Sequence, residues 1–158
     1  MDFMLSAYWI ALLALPLILT GCGLFSAGEP RIDRQEFHPS LNVDLAQMTH
    51  TPSGLYTRDL EAGTGEVATE GDTVELRYTL WLPNGARIDT NEPDGPLLIF
   101  GIGEGRVIPG FEEGVTGMRV GGRRQLLVPP SLGYGDRPIG PIPANSILVF
   151  EVSLVAVQ

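Results

Sequence analysis

Lysine is absent from this sequence. All ten basic residues are arginine, placed singly or in pairs, and the nineteen acidic residues leave a net charge of −9. Without a basic patch the chain lacks the electrostatic footprint of a nucleic-acid-binding protein. The acids are scattered rather than blocked, which reads as a solvated surface that keeps the protein soluble. Cysteine occurs once, at Cys22, so no disulfide can close within the chain. The two histidines, His38 and His50, have no cysteine nearby, so neither reads as a metal ligand and no metal is expected. No coiled-coil heptads run through residues 22–53, so a monomer is expected.

What the sequence does have is unevenly placed. Residues 3–19 are almost entirely apolar, and Leu5 to Leu19 has close to the length of a signal-peptide core. That is somewhat short of the roughly 20 residues a membrane-spanning helix needs. The run ends in Leu19-Thr20-Gly21-Cys22, followed by Gly23. This resembles the bacterial lipobox, in which the chain is cut before a lipidated cysteine. It implies a leader over residues 1–21, a lipid anchor on Cys22, and a domain held outside the cytoplasmic membrane. Gly23 in place of Asp is compatible with onward sorting to an outer membrane. The leader begins with Asp2 and no positive charge, which departs from the usual pattern. Residues 22–53 hold Pro30, Pro39, Pro52 and both histidines without a sustained 3.6- or 2.0-residue period. They read as a tether with one short turn of structure.

From residue 54 the pattern changes, and residues 54–158 read as one domain of ordinary size. The chain's 20 glycines and 13 prolines cluster in its second half, a sign of turns and short strands. Val74 to Leu82 alternates apolar and polar residues, as a half-buried strand does. Pro83-Asn84-Gly85 breaks it, and Asn-Gly predicts a hairpin returning through Arg87-Ile88-Asp89-Thr90. Further strands are expected over 96–101, 123–128 and 147–157. In the last, Leu148, Phe150, Val152, Leu154 and Ala156 share one face. Only Pro109 to Met118 looks helical. Pro109 suits a first turn, Glu112 and Glu113 suit the positive end of the dipole, and Phe111, Val115 and Met118 fall on one side. Gly114 and Gly117 weaken that helix. The expectation is an α+β domain, an antiparallel sheet covered on one face by the helix and open to water on the other.

Several segments carry a more specific signal. Val107-Ile108-Pro109-Gly110-Phe111-Glu112-Glu113-Gly114 is followed by Met118-Arg119-Val120-Gly121. Then come Pro130 through Tyr134-Gly135, and Ile142-Pro143-Ala144-Asn145-Ser146 leading into Ile147 to Val152. With Tyr78-Thr79 and the Gly85-x-x-Ile88-Asp89 hairpin upstream, these resemble, in order and spacing, the FKBP-type peptidyl-prolyl cis–trans isomerases over about residues 54–157. The resemblance implies a twisted antiparallel sheet of five to six strands wrapped around one short helix. It also implies isomerisation of X-Pro peptide bonds in proline-containing polypeptides, without cofactor or metal.

Rotation about an X-Pro bond breaks amide resonance against a barrier of about 18–20 kcal/mol and makes no covalent bond. A catalyst for it needs no nucleophile. It needs a dry pocket that disfavours the planar, polar amide, and a few fixed polar groups. Carried over position by position, the resemblance makes Asp89 the acidic group near the twisting amide, held by Tyr78. Tyr134 becomes a hydrogen-bond donor to a substrate carbonyl. Ile88, Leu98, Phe100, Val107, Ile108, Phe111, Ile142 and Phe150 become the pocket, with Phe111 as its floor and Ile108 offering its backbone N–H. Taken singly, Phe111, Val107 and Phe150 are ordinary core residues and Asp89 an ordinary turn acid. The chain departs from the family at Ile88 and Leu98, where aromatics are usual, at Phe111 in place of tryptophan, and at Arg106 in place of an acidic or polar residue. Together these make the pocket more aliphatic. They leave open a non-catalytic alternative, a chaperone or binding module, and behind it a purely structural lipoprotein.

Overall fold

The computed structural model describes residues 30–158; Cys22, the apolar run and the first part of the expected tether lie outside them. Among the described residues no helix is long and apolar enough to cross a membrane. Seven antiparallel strands form one sheet: β1 (Thr49–His50), β2 (Tyr56–Glu61), β3 (Thr73–Trp81), β4 (Arg87–Thr90), β5 (Leu98–Gly101), β6 (Arg123–Val128) and β7 (Leu148–Val157). Their order is β1-β2-β6-β7-β3-β4, with β5 also pairing β3. The expected strands are present. The two additional ones, β1 and β2, carry no apolar alternation that would mark them.

The single α-helix among the described residues, α1 (Pro109–Val115), is shorter than its pattern. It stops at Thr116, whose side chain bonds the Glu112 carbonyl at 2.8 Å, and Gly117 turns the chain away with φ of +80°. Phe111, Val115 and Met118 are nevertheless all buried, against Leu76, Leu80, Leu126, Val128, Leu148, Phe150 and Val152 on the facing side of the sheet. Gly110 and Gly114 let the helix approach closely. A Cβ at Gly114 would lie 2.5 Å from Leu126 Cδ1, and one at Gly110 2.5 Å from Val128 Cγ1.

The expectation of a water-facing second side is corrected. Tyr56, Leu127, Val149 and Trp81 are successive cross-strand partners over β2, β6, β7 and β3, so their side chains form one row on the side away from α1. Residues 30–53 cover that row. Instead of a tether they make three short 3-10 turns (Ile32–Arg34, Pro39–Leu41, Leu45–Gln47) and the strand β1. Ile32 and Leu41 are buried with Leu127, Ile147 and Val149, and Phe37, Val43, Leu45 and Met48 pack around them. Gln125, fully buried, donates to the Leu41 carbonyl at 2.8 Å. His38 donates its backbone N–H to the Pro83 carbonyl at 2.8 Å, and its Nδ1 accepts from Ser40 N at 3.2 Å. His50 stacks on Tyr56 with ring centres 4.4 Å apart. The strap's apolar residues fall at irregular spacing because its turns are 3-10 and interrupted, so no periodicity betrays it.

A second correction concerns β7. Glu75 pairs with Ala156 but Leu76 pairs with Leu154, so Val155 is an inserted bulge residue. The bulge shifts the alternation: Ala156 moves to the outer face beside Glu75, and Val157, half-buried, packs against the core.

Candidate functional site

The cleft is assembled where β3, β4, β5 and β7 meet the segment leading into α1. The β3–β4 turn is closed by the Leu82 N–H to the Ala86 carbonyl at 2.9 Å, with Gly85 at φ of +86°. That conformation suits glycine, hence the Asn-Gly signal. Two residues further on, Leu80 pairs with Asp89 and Trp81 with Arg87, which leaves Ile88 as a bulge. Leu80 is also the partner of Phe150. Asp89 therefore stands on the same face of the sheet as Leu80 and Phe150, toward α1.

Asp89 is tightly held. The Tyr78 hydroxyl donates to its Oδ2 at 2.5 Å, and the Thr90 backbone N–H donates to its Oδ1 at 2.9 Å. Burial first, and then the bond to the Asp89 carboxylate, push the Tyr78 hydroxyl from 10 up to about 12, so it stays a donor throughout the physiological range. Behind this pair lies an aromatic cluster. Phe111 meets Phe150 edge-on with ring centres 5.1 Å apart, and Tyr78 edge-on at 6.1 Å. Phe100 packs against Phe111 at 6.0 Å. The hairpin is braced from beneath by Asn91, whose side chain accepts from Tyr78 N at 2.7 Å and donates to the Leu76 and Pro96 carbonyls at 3.0 Å.

The resulting cleft has a volume of about 210 Å³. Of the expected residues it brings together Tyr78, Asp89, Leu98, Val107, Ile108, Phe111, Tyr134 and Phe150 around one space. Three expected lining residues do not face it. Phe100 and Ile142 are buried in the core behind it, and Ile88, displaced by its bulge, packs half-buried against the core. Two further residues line it: Leu80, which was not anticipated, and Arg106, which was marked only as a departure from the family. Leu80 was legible as the next same-face residue after Tyr78 on the strand, and Arg106 as the neighbour of Val107.

Besides the Arg106 guanidinium, two donors in the cleft are free among the described residues. Ile108 ends the segment before α1, and its carbonyl accepts from Phe111 and Glu112 while its own N–H has no partner among the described residues. The Tyr134 hydroxyl likewise makes no hydrogen bond among them, although the Tyr134 phenol is near enough to Tyr78 to help raise its pKa electrostatically. The Tyr134 loop is held by the Gly135 N–H to the Pro130 carbonyl at 2.9 Å and the Asn145 N–H to the Gly135 carbonyl at 2.7 Å. Among the described residues no three His, Cys, Asp or Glu side chains are grouped to hold a metal. The cleft is thus an aromatic-floored slot with one fixed carboxylate, two unused hydrogen-bond donors and the Arg106 side chain in its wall.

Comparison with known proteins places this arrangement. A family model described as FKBP-type peptidyl-prolyl cis-trans isomerase matches residues 65–155. An FK506-binding protein of Neisseria meningitidis serogroup B is 40% identical over 105 residues, covering 66% of this chain and 96% of that one. FK506-binding protein 4 of Chaetomium thermophilum is 42% identical over 120 residues, 76% of this chain, which spans only 23% of that longer relative. The crystal structure of FkpA from Escherichia coli superposes with a TM-score of 0.65 at 37% identity, covering 71% of this chain and 52% of that one.

Proposed function

This chain belongs to the FKBP-type peptidyl-prolyl cis-trans isomerase family, and from that premise we propose that its cleft accelerates X-Pro isomerisation in exported polypeptides. Uncatalysed, the interconversion takes tens to hundreds of seconds, slow enough to limit folding. A proline ring seats on Phe111, between Tyr78 and Phe150. The planar amide owes its stability to resonance and to water around its polarised carbonyl. The slot removes that water, and the twisted amide, which has lost both double-bond character and carbonyl polarity, loses less on entering. The Asp89 carboxylate, fixed by Tyr78 and the Thr90 N–H, faces the twisting bond. The free Ile108 N–H and Tyr134 O–H take the substrate carbonyls on either side of the ring and stop the chain from following the rotation.

The observation that carries this reading is the pairing of a locked carboxylate with two unused donors across an aromatic floor. Its test is the cis-to-trans relaxation of short X-Pro peptides with the full chain in detergent. Acceleration by the parent that falls at least tenfold in both Asp89→Ala and Phe111→Ala supports it. A folded parent that binds such peptides without accelerating them turns the reading to a holding module.

We also propose that the protein acts as a monomer on a membrane surface, anchored through acyl chains on Cys22. The four-residue lipobox-like stretch behind an apolar run supports this, and each buried methylene contributes about 0.8 kcal/mol to anchoring. Incorporation of tritiated palmitate in a bacterial host, lost in Cys22→Ser, is the expected result. Unchanged labelling in that variant refutes the anchor.

A further inference from the structure

We infer that Arg106 makes this cleft selective for substrates with a carboxylate on the residue that follows the proline. The inference rests on the isomerase reading above and names its substrate class.

Arg106 is the only cationic residue in the cleft wall among the described residues. Its guanidinium is not committed to the fold. The nearest carboxylate, Glu104, lies 3.8 Å away, beyond hydrogen-bond distance, and the two side chains are 68% and 58% exposed. No hydrogen bond to the Arg106 side chain exists among the described residues. An exposed pair of that kind contributes little, so replacing Glu104 by a substrate carboxylate costs little. The Glu104 side chain turns back over Gly101, where a Cβ would lie 2.5 Å from its carboxyl carbon, while Arg106 contributes to the cleft wall.

The direction of the bound chain follows from the polar groups. Asp89, on β4, stands beside the X-Pro amide, so the carbonyl before the ring belongs to that side of the cleft. The proline's own carbonyl then takes the Ile108 N–H. From there the substrate runs along Val107 toward Arg106. Extended backbone rises about 3.3 Å per residue, so the side chain one position after the proline comes within reach of an arginine two residues from Ile108. A carboxylate there gains a bidentate partner. A lysine there meets a like charge.

The bulk field of the molecule points the other way. The net charge of −9 repels acidic peptides in general. A preference for them can therefore only be local, which makes the test sharp.

The experiment compares three peptides identical except for Glu, Gln or Lys directly after the proline, with a fourth carrying Glu directly before it. The full chain in detergent, Arg106→Gln and Arg106→Glu are each titrated with them. Two-dimensional exchange NMR reads the cis–trans rate and chemical-shift titration reads the Kd. For the parent, the Glu-after peptide should be favoured over the Lys-after peptide by about two- to five-fold in kcat/KM and Kd, the range of an exposed ion pair. The preference should shrink as salt shortens the Debye length, vanish in Arg106→Gln and invert in Arg106→Glu. A merely structural arginine cannot produce that inversion. Equal treatment of the Glu- and Lys-after peptides, or a preference that survives in Arg106→Glu, overturns the inference while any acceleration leaves the isomerase reading standing. A preference in Kd that inverts with Arg106→Glu but comes without acceleration upholds the inference and sinks the catalytic reading. A stronger effect for Glu before the proline overturns the proposed direction of the chain.

Discussion

Leu41→Ala tests whether residues 30–53 belong to the fold. Leu41 is 4% exposed and packs in the second core against the outward row on β6 and β7. The substitution removes three carbons, and at about 0.8 kcal/mol per methylene the transfer loss alone is ~2.4 kcal/mol. A cavity left behind adds to this, within the roughly 2–5 kcal/mol found for such truncations. The strap is held by short turns and can partly settle into the gap, so the value should lie near the lower end, about 2.5 kcal/mol. For a domain of this size 1 kcal/mol shifts Tm by about 4 °C, so the expected fall is ~10 °C. Thermal and urea unfolding followed by circular dichroism read it, with Glu36→Ala, an exposed strap residue, as the control within about 0.5 kcal/mol. The Leu41 carbonyl keeps its bond from Gln125 in the variant, so the loss reports packing alone. A Leu41→Ala midpoint within 2 °C of the control, roughly 0.5 kcal/mol, refutes the strap as part of the core and returns it to a tether.

Gly114→Ala should destabilise by about 1–3 kcal/mol even though alanine is the better helix former, because the new Cβ meets the buried Leu126 at 2.5 Å; a chemical melt showing stabilisation refutes the close helix–sheet approach. Asn91→Ala strands the Tyr78 N–H and two carbonyls under the hairpin. A loss of about 2–4 kcal/mol in urea unfolding is expected, together with a larger fall in isomerase kcat/KM than the Gly114 variant shows. Tyr78 is raised to about 12, so its folded form holds the proton that the unfolded chain releases near 10. Its contribution is therefore complete below pH 10 and is lost as pH climbs from 10 toward 12. Ultraviolet titration at 295 nm should show one late-ionising phenol, absent in Tyr78→Phe, and a phenol titrating near 10 instead would contradict the Asp89 bond.

Much was legible along the chain because the relevant physics is local. Strand β3 shows itself by alternation, since successive side chains point to opposite faces. The β3–β4 turn shows itself by Asn84-Gly85, since a left-handed backbone favours glycine. Family-spaced residues located the cleft, and Tyr78, Asp89, Phe111 and Tyr134 do meet around one space. The rest depended on partners far away in sequence. Whether Val155 and Ile88 are paired or bulged is decided by the neighbouring strand, so Ala156 and Val157 exchanged faces and Ile88 left the cleft wall. Gly114 read as a weak point of a helix, yet it and Gly110 are where that helix touches β6, because what a glycine contributes is set by the atoms opposite it. The strap has no period of its own. It takes its shape from the row Tyr56, Leu127, Val149 and Trp81, four residues scattered over the chain that only the assembled sheet brings side by side. The sequence alone determined the central strands, the helix and the family, since propensity and spacing are written along one segment. The tertiary structure decided which faces are covered and which side chains reach the cleft, since both depend on contacts between segments that no local pattern records.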